Sequence, residues 1–154
     1  MKIGMEVENF QLIDQFNNKF DLYENLNQDV LLAFYPKSDT LVCTKQLVDY
    51  SLNQLELLKF GIKIVGINIE PVESHRSFCA NNKIDYPVLS DPDKKVSKYF
   101  EAVNFMNQNK RKLVLVGKDK RVKFERSSLP MFFVDTRQLL NDLRNCLLYT
   151  SRCV

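Results

Sequence analysis

Dithiol motifs, metal-ligand clusters and membrane-length apolar runs are all missing from this chain, and each absence removes a class of function. The four cysteines stand at positions 43, 79, 146 and 153, so there is no Cys-x-x-Cys pair. That excludes the paired thiols of a disulfide oxidoreductase. With one histidine, His75, a zinc site would have to gather ligands from distant segments. No metal and no bound cofactor is expected. No apolar run approaches the roughly 18 residues needed to span a bilayer. The opening Met-Lys-Ile-Gly-Met-Glu-Val-Glu also lacks the apolar middle of a secretory signal. A cytoplasmic protein with no membrane partner is therefore expected. Charge is nearly balanced, 22 basic against 19 acidic residues for a net +3, so the basic clusters at 110–112 and 118–121 read as solvated surface rather than a nucleic-acid footprint.

What is there is enough for one core. The chain has 154 residues, 45% of them hydrophobic, with no internal repeat and no low-complexity linker. A single domain is expected over residues 1–145. The last nine residues, 146–154, match a translated frame of transposon mosaic-end DNA joined to its own reverse complement. They are read as a non-native tail of sequencing-adapter origin. The plainer alternative is an amphipathic helix end, because Leu139, Leu140, Leu143 and Leu147 keep helical spacing. In a cytosolic chain, cysteines point to redox or metal use rather than a disulfide framework. Without the tail, Cys43 and Cys79 are the two to explain.

The pattern along the chain alternates strands and helices. Residues 10–14 and 19–22 bracket turn residues and read as a small hairpin. Val30 to Tyr35 is a continuous apolar run of strand length, ended by Pro36. From Thr44 to Phe60, Val48, Leu52, Leu55 and Leu58 fall at helical spacing, and Gly61 supplies the stop. Residues 62–69 read as a second buried strand, and 72–82 as a short helix carrying His75, Phe78 and Cys79. A brief strand at 86–90 precedes a helix over 91–100 with Val96 and Phe100 facing inward. Two strands, 113–116 and 121–125, flank the turn at 117–120, and a last helix starts at Val134. This order predicts an α/β fold: a mixed sheet covered by helices on both faces.

Cys43 occupies the one place built for chemistry. It lies where the strand ending at Tyr35 gives way to a helix, near unsatisfied backbone N–H groups and the positive end of the helix dipole. Both favour thiolate over thiol. The hydroxyl of Thr40, three residues earlier, can reach the same volume and either donate to the sulfur or hold a substrate oxygen. A lone cysteine at a strand end is otherwise a packing residue. The neighbours argue for a reactive one.

On these residues the chain resembles the peroxiredoxins, in particular the bacterioferritin-comigratory or Q-type subfamily, over roughly residues 3–145. The pattern Pro-x-x-x-Thr-x-x-Cys is met by Pro36, Thr40 and Cys43. The opening 3–12, Phe34 to Lys37, Ser74-His75 with Phe78, and Tyr86 to Asp91 all resemble subfamily segments. Arg111, ahead of 113–119, falls where the family places its active-site arginine. The resemblance implies a thioredoxin-like fold with an N-terminal hairpin, and a thiol-dependent peroxidase acting on hydrogen peroxide and organic hydroperoxides. It makes Cys43 the peroxidatic nucleophile that becomes sulfenic acid. Thr40 and Arg111 would hold the peroxide oxygens and stabilise charge on the departing one. Pro36 would shield the sulfur from bulk water. Thioredoxin or a similar dithiol would recycle the enzyme, which is expected to be a monomer.

Three departures qualify the match. Leu41-Val42 stands where the family has Pro-Gly, and Gln46 replaces its usual acid; neither change removes a reacting atom. Gln46 is expected to hydrogen-bond near the helix start or to an active-site side chain. Val48 occupies the place where many Q-type members carry a resolving cysteine. Cys79, 36 residues beyond Cys43, resembles the arrangement in which the resolving thiol sits on the following helix. Cys79 is also readable as a small core hydrophobe, which would leave a one-cysteine peroxidase resolved by an external thiol. A non-catalytic thioredoxin-fold interaction or holdase protein is the rival from another class. A disulfide needs Cα atoms within about 7 Å, so the reduced protein is expected to keep the two sulfurs apart. His75, one turn from Cys79, has two readings: assisting deprotonation of Cys79, or capping and surface hydrogen bonding.

Overall fold

The computed structural model describes residues 1–37, 41–128 and 132–152, excepting the side chains of 146–152. Thr40 and the side chains of the suspected tail therefore lie outside the described residues.

Strands β1 (Gln11–Ile13) and β2 (Lys19–Asp21) form the expected hairpin. Its turn is closed by the Asp14 carboxylate, which accepts the N–H groups of Phe16 and Asn18 at 2.9 Å, while Asn17 takes φ 65°. An Asx side chain bonding two residues ahead is what makes such turns. β3 (Asp29–Phe34) leads into α1 (Leu41–Leu52) and α2 (Gln54–Lys59), then β4 (Ile62–Asn68). α3 (Val72–Asn82) and the short β5 (Val88–Ser90) precede α4 (Lys95–Tyr99). β6 (Arg111–Val116) and β7 (Val122–Ser128) make a hairpin, and α5 (Thr136–Arg152) follows.

The seven strands lie in the order β2-β1-β5-β4-β3-β6-β7. The β3–β4 and β4–β5 pairs are parallel and the rest antiparallel, so the sheet is mixed, as expected of a thioredoxin-like α/β fold. Strand period two splits the core. Leu31, Ala33 and Tyr35 pack with Leu47, Tyr50, Phe78, Leu139 and Leu143 of the helices on one face. Val30, Leu32 and Phe34 pack on the other with Phe20, Leu22, Val96 and Phe100.

Several sequence readings need correction. The helix expected over 44–60 is broken at Asn53, whose side-chain amide donates to the Asp49 carbonyl at 2.8 Å. This local bond competes with the helical ladder. The buried stripe is also rotated. Leu52 and Leu55 are exposed at 80% and 74%, whereas Cys43, Gln46, Leu47, Tyr50 and Leu57 face the sheet. Elsewhere, α4 starts later than expected because the Asp91 carboxylate accepts the N–H groups of Val96 at 3.3 Å and Ser97 at 2.7 Å, capping the helix from outside. β6 begins two residues early and takes Arg111 into the sheet.

Candidate active site

Cys43 is the third residue of α1, where β3 has delivered the chain to the end of the central strands. Its sulfur is buried, 1% exposed, on the face that carries Leu31 and Ala33. Arg111 starts β6, which pairs with β3. Alternation along β6 sends Arg111, like Leu113 and Leu115, to the Cys43 side. Lys112 goes the other way and is used up structurally: its ammonium donates to the Phe100 carbonyl at 2.8 Å and pairs with Glu125 at 2.5 Å.

The two residues meet. Arg111 Nη2 donates to Cys43 Sγ at 3.1 Å. Arg111 Nη1 donates to the Gln46 side-chain oxygen, and Gln46 Nε2 stands 3.4 Å from the Tyr50 hydroxyl. That hydroxyl donates in turn to the Val134 carbonyl at 2.7 Å. Cys43, Gln46 and Tyr50 lie at i, i+3 and i+7, one face of α1. A guanidinium on a residue only 2% exposed must be held by acceptors, and this chain of side chains fixes its plane against the sulfur. Gln46 does so without a negative charge of its own. Burial holds the Tyr50 phenol well above its usual range, so it stays a neutral donor.

Pro36, half-buried beyond β3, lines a groove with Lys37, Ser74, Ser77 and Gln108 at the same end of the sheet. Another groove, lined by Phe10, Asp91, Lys95 and Tyr99, lies against the opposite face of the sheet. Its acidic wall is a capping device for α4 rather than part of the sulfur site.

Cys79 sits on α3, 3% exposed, in the same core cluster as Cys43, and neither is in a disulfide. Burial pushes the Cys79 thiol up to about 12 from 9.0. As packed, it is a protonated thiol and no nucleophile. His75 is fully buried, which corrects the surface reading. Its Nε2 meets the Asn68 side-chain oxygen and its Nδ1 lies 3.1 Å from Ser90 Oγ. Because Asn68 Oδ1 also accepts the Glu70 N–H at 3.0 Å, the imidazole donates from Nε2 and accepts the Ser90 hydroxyl at Nδ1. Burial lowers His75 to about 4 from 6.5, against an opposite pull from the Val88 backbone. Both ring nitrogens are engaged away from Cys79, so a base role for His75 toward that thiol has no geometric support.

Among the described residues, no group of three His, Cys, Asp or Glu side chains could hold a metal ion. No described helix is long and apolar enough to cross a membrane. A buried sulfur facing a fixed guanidinium can attack an electrophile and have the departing oxygen stabilised at the same spot.

Residues 3–125 match the AhpC/TSA family. 1-Cys peroxiredoxin PER1 of Triticum aestivum is 30% identical over 137 residues, which cover 80% of this chain and 62% of the relative. Peroxiredoxin Bcp of Escherichia coli is 33% identical over 100 residues, 65% of this chain and 64% of the relative. The chain thus spans somewhat under two thirds of the length of these two relatives. The crystal structure of peroxidoxin BcpB from Mycobacterium tuberculosis aligns with a TM-score of 0.78 at 30% identity, covering 83% of this chain and 86% of that one.

Proposed function

The chain belongs to the AhpC/TSA family, and on that premise we propose that it is a thiol-dependent peroxidase whose nucleophile is Cys43. The observation that carries the reading is the Arg111 donor 3.1 Å from Cys43 Sγ. The thiolate sulfur attacks the terminal oxygen of a hydroperoxide; a sulfur–oxygen bond forms and the O–O bond breaks. The sulfur is oxidised to sulfenic acid and the departing oxygen leaves as an alcohol, or as water from hydrogen peroxide, once protonated. Arg111 stabilises the charge that develops on that oxygen. Thr40 is assigned the second contact to the peroxide, and Pro36 the wall that limits water at the sulfur.

Cys79 is assigned the resolving step. Its sulfur attacks the Cys43 sulfenic acid, the S–S bond forms, the S–O bond breaks, and hydroxide leaves as water with the Cys79 proton. Thioredoxin or a similar dithiol then reduces the disulfide and restores both thiols. The enzyme works as a monomer in the reducing cytoplasm. Hydrogen peroxide and organic hydroperoxides are its substrates, and sulfur supplies all of the redox chemistry.

The test is to treat reduced protein with one equivalent of hydrogen peroxide, map disulfides by mass spectrometry, and assay thioredoxin-coupled turnover of wild type and Cys79→Ser. A 43–79 linkage, lost together with turnover in the variant, is expected. Full turnover by Cys79→Ser would leave the one-cysteine peroxidase as the answer.

A further inference from the structure

His75 is a buried polar residue that the peroxide step does not use. It lies one turn before Cys79 on α3, and its two hydrogen bonds reach two different strands, Asn68 at the end of β4 and Ser90 at the end of β5. The buried Tyr86 hydroxyl donates to the Leu47 carbonyl at 2.7 Å and holds the segment after α3 rather than the helix itself. Two further polar tethers of α3 and its C-cap, among the described residues, are longer and less buried. Arg76 Nε donates to the Gln15 carbonyl at 3.3 Å, and Ser51 Oγ donates to the Lys83 carbonyl at 3.3 Å from an exposed position. α3 ends at Lys83 in a left-handed conformation, φ 56°, which a residue other than glycine adopts at a cost. Docked, Cys79 is buried in the core cluster that also holds Phe78, Ile84 and Tyr86, and burial keeps it a thiol. Both thiols are buried and unbridged on separate helices, so forming a 43–79 disulfide needs local unwinding of α1, α3 or both, and unwinding of α3 breaks the His75 bonds.

We propose that the Asn68–His75–Ser90 set is the latch of α3, setting how fast Cys79 is released to attack the Cys43 sulfenic acid. This rests on the reading of Cys79 as the resolving thiol. While the latch is closed, a second hydroperoxide can oxidise the waiting sulfenic acid to sulfinic acid, adding one oxygen to sulfur and releasing one alcohol or water. The latch therefore divides each oxidised molecule between disulfide and over-oxidation. His75 is a positioning residue here: it touches neither peroxide nor sulfur. Losing one buried hydrogen bond of about 0.5–1.5 kcal/mol corresponds to roughly a two- to twelvefold rise in helix opening.

The experiment compares wild type with Ser90→Ala, which removes one bond, and His75→Gln, which disturbs both. Val65→Ala, in the cluster on the opposite face of the sheet, serves as a destabilised control. Stopped flow measures sulfenic acid formation and disulfide formation separately, and hydrogen exchange of α3 amides is followed in the reduced proteins. Expected are unchanged sulfenic acid formation, disulfide formation and α3 exchange both faster by about three- to tenfold, and less sulfinic acid at high peroxide. Val65→Ala should lower thermal stability without accelerating either process. If the 43–79 disulfide forms in all proteins at one rate, the latch is overturned and the resolving role stands. If wild type forms no 43–79 disulfide, the resolving role itself fails and the latch goes with it. Equal acceleration in Val65→Ala reduces His75 to ordinary packing and also overturns the proposal.

Discussion

Arg111 donates to Cys43 Sγ at 3.1 Å although 68 residues of chain separate the two. The contact exists because β3 and β6 pair antiparallel with Phe34 opposite Lys112. That register puts the start of β6 beside the end of β3, from which α1 departs. One arginine is thereby committed to the sulfur and to Gln46 beside it.

Replacing Arg111 with lysine keeps a positive charge but loses the planar fork that reaches sulfur and Gln46 together. The second-order rate constant for peroxide consumption by Arg111→Lys is expected to fall by on the order of 100-fold. Stopped-flow kinetics under single-turnover conditions check this.

Gln46 acts one step back, as the acceptor that fixes the guanidinium. Gln46→Leu removes that acceptor and is expected to slow the peroxide step by about tenfold, the equivalent of one lost hydrogen bond to a charged group. Gln46→Glu keeps an acceptor in place and should lose less. Rates for the two variants, measured side by side with their circular dichroism spectra, separate a positioning effect from misfolding.

The Cys43 and Arg111 pairing is an expectation of the family resemblance, in which the Pro-x-x-x-Thr-x-x-Cys pattern marks the cysteine and the place of Arg111 ahead of 113–119 marks the arginine. Gln46 is expected to hydrogen-bond near the helix start or to an active-site side chain, and it accepts from Arg111. Tyr50 is not placed by the sequence, since a polar residue in an amphipathic run reads as solvent-facing while Leu52 and Leu55 read as core. The structure reverses both, because α1 turns the face bearing the sulfur inward and Asn53 ends it before the leucine stripe can dock. The i, i+3, i+7 spacing of Cys43, Gln46 and Tyr50 was the available signal. His75 was misread for a different reason. Its partners Asn68 and Ser90 come from strands on either side of α3 in sequence, and only the parallel β4–β5 pairing brings them together. The hairpins, the sheet strands and α3 were legible because short apolar runs and the turn residues between them are local.

Folding stability should register His75 directly. Its folded value, about 4, lies below the unfolded 6.5, so the native state favours the neutral ring. The associated stability is present above pH 6.5 and is lost as pH falls toward 4, by an amount on the order of 3 kcal/mol. Urea denaturation across pH 4–7 should show that slope in wild type and a shallower one in His75→Gln.

Cys79 carries the opposite signature. Its folded value of about 12 exceeds the unfolded 9.0, so its contribution to stability is complete below pH 9 and declines as pH rises toward 12. Near neutral pH, iodoacetamide should label Cys79 of the reduced native protein only at the rate at which α3 opens. Adding urea to unfold the chain should bring labelling to the rate of an ordinary thiol, as read by peptide mass spectrometry.

The central claim is that Cys43 is the sulfur that peroxide oxidises. Its most direct test is to add one equivalent of hydrogen peroxide to reduced Cys79→Ser protein in the presence of dimedone and locate the adduct by peptide mass spectrometry. A sulfenic acid adduct on the peptide bearing Cys43, absent from Cys43→Ser together with rapid peroxide consumption, is the predicted result. Rapid consumption that persists in Cys43→Ser, or an adduct confined to another residue, would contradict it.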